Sequence, residues 1–107
     1  MKVPHAEDER VRLGEVGVDS GQLLVIDPCY LEDWDHQRSY PQACLVTEAG
    51  IGGQLDYAPG RPGLGVAFRS GFGDGVYPVW ATVRDFGPWG RRVVRVEIDL
   101  LGDEEDL

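Results

Sequence analysis

Residues Gly17–Tyr30, GVDSGQLLVIDPCY, hold a turn, an apolar strand and a strand exit in one short run, and the fold is read outward from them. Asp19-Ser20-Gly21 carries turn chemistry: short polar side chains that bond the backbone, and a glycine free to take positive φ. Leu23-Leu24-Val25-Ile26 is apolar without alternation, which at this length predicts a strand covered on both faces. Pro28 has no N–H for a ladder, so Asp27 is expected to be the last regular strand residue, its carboxylate held where core meets solvent. A carboxylate so placed can cap, bind or catalyse, and the sequence leaves the three open.

Further along, Tyr77, Val79, Ala81 and Val83 alternate with Pro78, Trp80, Thr82 and Arg84. Val94, Val96, Ile98 and Leu100 alternate in the same way with Val93, Arg95, Glu97 and Asp99. That period predicts two strands, and the turn-rich connector Asp85–Gly90 joins them as a hairpin. Pro78 suggests an edge or a bulge. Ala43–Thr47 and Gly65–Arg69 read as further strands, and Val11–Leu13 as a brief pairing. Gly50–Tyr57 is a glycine-weakened strand or an open loop, Ala58–Gly63 a surface loop, and Ser70–Gly75 a turn. Cys29–Gln37 lacks Gly and Pro and suits one helical turn, with Leu31 and Trp34 at i and i+3. The expected fold is all-β, a small sandwich or partly open barrel of about six or seven short strands with at most one short helical turn. The alternative is a small α+β arrangement.

With 107 residues, 42% hydrophobic and 27% charged, the chain fits a single domain over 1–107 that can bury about two thirds of its unfolded surface. Asp103–Asp106 makes residues 102–107 an acidic tail, expected to be mobile. The net charge of −9, from 19 acidic against 10 basic residues, repels phosphate backbones, so neither nucleic acid nor an anionic membrane is an expected partner. A basic protein surface or a small ligand is. No run approaches the ~20 apolar residues of a membrane span, and Met1–Arg12 lacks the apolar segment of a secretory signal. A cytoplasmic location is expected, with Cys29 and Cys44 as reduced thiols, although a disulfide between them stays open.

Several groupings bear on chemistry. Asp27 and Asp74 would share a hard cation if their strands were adjacent, but no DxDxDG loop is present, and each also fits a local role in accepting backbone N–H groups. Whether a metal binds is left open. Asp33, Asp35 and His36 read as a solvated loop before they read as a metal site. Cys29 with His36 or His5 invites a thiolate, yet no nucleophile motif surrounds it and packing is the simpler role. The glycine runs at 50–53 and 71–75 lack the helix and lysine of a phosphate cradle, Lys2 being the only lysine. Trp34, Trp80 and Trp89 are large groups for a small chain, and an exposed tryptophan is a favoured contact anchor.

Ser20-Gly21, the apolar strand with Asp27-Pro28, the Gly75-Val76-Tyr77-Pro78-Val79 strand and the closing Arg92–Ile98 strand together resemble an uncharacterised bacterial domain family marked by an SG-x-DP strand and a GxYPV strand. The resemblance covers about half of the chain. It implies this order of strands and singles out Asp27 and Tyr77; it implies no activity and no catalytic residue. The functional expectation is a non-enzymatic acidic module that binds a protein partner or small ligand, of inhibitor or immunity type, without a cofactor, through Asp27, Tyr30, Trp34, Asp74, Tyr77 and Trp80. The alternatives are a metal- or thiol-dependent hydrolase using Asp27, Asp74 and Cys29 or His36, and a homodimer through an unprotected edge strand or the Trp80 face.

Overall fold

A computed structural model describes residues 8–35 and 37–101. The expected acidic tail at 102–107, and His5 and His36, lie outside the described residues. In chain order the elements are β1 (Glu9–Val18), β2 (Gln22–Ile26), a 3-10 helix (Pro28–Asp33), α1 (Ser39–Ala49), β3 (Gly52–Ala58), β4 (Arg61–Arg69), β5 (Gly75–Asp85), a 3-10 turn (Gly87–Trp89) and β6 (Arg91–Ile98). They form two three-stranded sheets, β1-β5-β6 and β2-β4-β3. The chain divides into two compact units, one made of residues 1–17 and 75–107, the other of residues 18–74. The architecture is thus mostly β with one helix, and among the described residues neither sheet closes into a barrel. Among the same residues no helix is long and apolar enough to cross a membrane.

In the first unit the expected hairpin is present. β5 and β6 pair antiparallel from Val79↔Ile98 to Asp85↔Arg91, with a bulge that leaves Val94 extra. Asp85 accepts the Gly87 N–H at 2.7 Å, and the Phe86 N–H donates to Gly90 O at 3.0 Å to close the tip. Two sequence expectations change here. β1 is one ten-residue strand and not a brief pairing. β5, despite Pro78, is the central strand of its sheet. Pro78 is tolerated because it precedes the paired stretch, where its carbonyl accepts the Asp99 N–H at 3.1 Å.

The second unit is a helix on a sheet. β2 pairs with β4 from Gln22↔Arg69 to Ile26↔Gly65, and β3 pairs with the other edge of β4. Gly52 sits so close to β4 that a Cβ there would lie 2.5 Å from Ala67 O, which restricts the position to glycine. Ala43, Leu55, Leu64 and Ala67 form the buried cluster, with Leu24, Ile26, Tyr30, Trp34, Val46 and Tyr57 packed around it. Register shifts near Leu55 and Asp56 leave Gly63 and Leu64 extra on β4 and Tyr57 extra on β3. The bulge turns Leu64 into the core, and Gly63, at φ 111°, lets the Tyr57 ring approach to 3.6 Å of where a Cβ would stand.

The largest correction is α1. Ala43–Thr47 was expected to be a strand, but it lies inside an eleven-residue helix, so the all-β expectation yields to a β-rich fold with one full helix. Pro41 sits in the first helical turn, where its missing N–H has no intrahelical partner to lose. Asp35 organises the entry: its N–H donates to Ser39 Oγ at 3.1 Å and its carboxylate accepts the Gln37 N–H at 2.9 Å. At the other end Arg69 donates from Nε to Thr47 O and from Nη2 to Glu48 O, a cation on the negative end of the helix. Ala58–Gly63, read as a loop, is instead the tight turn and paired strand ends of the β3–β4 hairpin, Ala58 facing Arg61. β2 is also not covered on both faces. Leu24 and Ile26 turn to the core, whereas Val25 is 56% exposed opposite Val66.

Candidate functional site

Asp27 leaves β2 as the N-cap of the 3-10 helix Pro28–Asp33, its carboxylate accepting the Cys29 N–H at 2.9 Å. Proline at the first helical position fixes φ for the turn, so Asp27-Pro28 is a capping signal before it is anything else. The cap bond uses one oxygen of an exposed carboxylate and leaves the charge in place. Tyr30 and Trp34, expected as surface contacts, are half-buried and pack inward on the core cluster. Cys29, expected to pack, is exposed, because it falls on the outer side of the 3-10 turn; Cys29 and Cys44 are both free thiols.

The Tyr30 ring meets Tyr57 edge to face, with centroids 5.1 Å apart and planes at 83°. The Tyr57 hydroxyl is pushed up to about 12, first by its hydrogen bond with the Tyr30 side chain, then by burial and by electrostatic interaction with Tyr30, Asp33 and Asp27. Asp33 and Asp27 therefore place their fields at the same aromatic pair. Neither carboxylate forms a salt bridge with a described residue. Four acidic residues, Asp27, Glu32, Asp33 and Asp35, fall in this nine-residue ridge without a basic one. An aromatic pair beside uncompensated carboxylates is chemistry for an ammonium or guanidinium group.

Asp74 is not part of this arrangement. Gln22 faces Arg69, and the Ser70 N–H donates to Gly21 O at 3.1 Å, so the turn leading to Asp74 leaves from the Gln22 end of β2 while Asp27 follows its Ile26 end. The two ends are separated by roughly 14 Å, the rise of about four strand residues. The structure thus does not bring the two carboxylates to one end of the strand, and among the described residues no three His, Cys, Asp or Glu side chains are grouped to hold a metal ion.

Tyr77 and Trp80 belong to the other unit. Tyr77 is buried on the apolar face of β5. Trp80 lies on the opposite face, as its alternation predicts, half-buried under the Arg10 guanidinium, which stands 4.1 Å from the ring centroid and pairs with Glu97 at 3.5 Å. Its ring is occupied by an intrachain cation.

A second feature escaped the sequence. Ser20, Gln22, Leu23, Leu24, Trp34, Tyr40, Ala43 and Ala67 line an open cavity of about 200 Å³. Behind it Gln22 Nε2 donates to Cys44 Sγ at 3.5 Å, and Thr47 Oγ1 shares its proton among Ala43 O at 3.0 Å, Cys44 O at 3.1 Å and Gln22 Oε1 at 3.3 Å. The Tyr40 hydroxyl is raised above its ordinary value, chiefly by its hydrogen bond with Cys44 one helical turn on. The signal for this wall was the Tyr40/Ala43/Thr47 spacing at i, i+3 and i+7, hidden once the segment was read as a strand. Comparison of the chain with protein-family models, curated proteins and solved structures finds no match.

Proposed function

We propose that this chain is a non-enzymatic binding module that receives a cationic side chain of a basic protein partner on the ridge formed by Asp27, Tyr30, Asp33 and Tyr57. The observation that carries the reading is the edge-to-face tyrosine pair on a segment with four acidic residues and no basic one, with no salt bridge to Asp27 or Asp33 among the described residues. The second unit as a whole has eight acidic residues against three arginines, a formal charge of −5. A field of one sign orients an oppositely charged partner and speeds its encounter. An inhibitor or immunity-type protein covering a basic site fits this chemistry, and the two free thiols fit a cytoplasmic setting.

The test is the affinity for a short arginine-rich peptide, measured calorimetrically across ionic strength. Asp27→Asn keeps the capping oxygen and removes the charge; Asp33→Asn removes the other. Each variant is expected to weaken binding by about fivefold, the upper end for an exposed ion pair, and added salt should weaken the wild type most. Binding that ignores both salt and the two substitutions would overturn the proposal.

A further inference from the structure

We infer that the cavity between α1 and the β2 end of its sheet is a binding site for a small, uncharged aromatic molecule bearing one hydrogen-bond donor, of phenol or indole size. It is distinct from the acidic ridge, whose proposed contacts are Asp27, Tyr30, Asp33 and Tyr57. Its volume of about 200 Å³ exceeds that of the ~150 Å³ apolar cavity known to accept benzene. Leu24 and Ala67, partners across β2 and β4, and Ala43 of α1 supply apolar surface, and Trp34 supplies an aromatic wall.

The polar edge selects the ligand's polarity. Ser20 Oγ donates its only proton to Gln22 O at 3.3 Å, so its oxygen is presented as an acceptor. Gln22 is held from both ends of its amide, Nε2 on Cys44 and Oε1 under Thr47, and the carbonyl retains a second lone pair. Ser20 Oγ and Gln22 Oε1 offer acceptors to a donor on the ligand, and the Tyr40 hydroxyl lies in the same lining. The −5 charge of the unit disfavours carboxylates and phosphates. Small size at Ala43 and Ala67 is what keeps the space open, since a larger residue at either would fill it.

The experiment is a titration of the full chain with phenol, with indole and with benzoate, followed by amide and indole N–H shifts in ¹H–¹⁵N spectra. Saturable shifts at Trp34, Ala43 and Ala67 with phenol and indole, absent with benzoate, are expected, and they should be insensitive to salt. Ala43→Leu fills the cavity from the helix, and Ser20→Leu closes its mouth from an exposed turn without touching the core. Either should weaken phenol binding by about tenfold or more; if Ala43→Leu does not fold, Ser20→Leu decides. Shifts that stay linear in ligand, that appear equally with benzoate, or that persist unchanged in Ser20→Leu would overturn the inference.

Discussion

The two units of this chain use their charges in opposite ways. Among the described residues all four ion pairs, Arg10–Glu97, Arg12–Glu15, Arg84–Asp8 and Arg91–Glu9, lie in the first unit, strung across its sheet. Among the same described residues the second unit has none, although it holds eight acidic residues. Of its three arginines, Arg69 is directed at helix carbonyls and not at a carboxylate. Among the described residues, four carboxylates of the first unit, Asp8, Glu9, Glu15 and Glu97, are paired with arginines, and no carboxylate of the second unit is. On the proposed reading, binding belongs to residues 18–74, while the ion pairs of the other unit serve its own sheet.

The comparison is sharpened most by removing what each unit depends on. For the second unit that is the buried cluster: Leu64→Ala, at a residue 1% exposed, should cost about 2–5 kcal/mol in denaturant unfolding. For the first it is the pair in which Arg84 Nε and Nη2 grip both oxygens of Asp8 at 2.9 and 3.0 Å, the Asp8 side chain being 5% exposed. Arg84→Met should cost about 1–3 kcal/mol, because a largely buried carboxylate loses its bidentate partner. A negligible effect there would show that the first unit's pairs do not contribute to its stability, and the contrast would fail.

A smaller effect is expected at Tyr57. Its folded-state pKa of about 12 stands above the ordinary 10, so the neutral phenol is favoured by folding. The contribution is fully present below pH 10 and is lost as pH rises toward about 12, the unfolded chain giving up its proton first. Phenolate absorbance should show a late-titrating step that Tyr57→Phe removes, and below pH 10 the variant should lose the stabilisation that the hydrogen bond with Tyr30 supplies. Equal titration of all tyrosines would separate Tyr57 from the Asp27–Asp33 field.

Much of the β framework is legible in the sequence because its strands announce themselves by alternation. β5 and β6 do so cleanly, and β2 by its apolar run with Asp27-Pro28 at the exit. α1 was illegible for a physical reason: its buried stripe is Ser39, Ala43 and Thr47, too small and polar to stand out, while Leu45 and the β-branched Val46 and Thr47 imitate a strand. Pro41 read as a stop because its place in a first turn is visible only once the entry at Asp35 is known. The site was half legible. Asp27 was expected to be the last strand residue, but β2 ends one residue earlier at Ile26 and Asp27 caps the turn that follows; Tyr57 was not singled out, since a two-sided bulge brings it to Tyr30. Asp74 was grouped with Asp27 by residue type alone, and register places their neighbourhoods at opposite ends of β2.

The most direct test of the central claim is to titrate the ¹⁵N-labelled chain with the arginine-rich peptide at low salt and map which amides shift. The account predicts shifts concentrated in Asp27–Asp35 and at Tyr57, diminishing as salt is added, with the paired carboxylates Glu9, Glu15 and Glu97 unmoved. Shifts centred on those three, or spread evenly over both units, would contradict it.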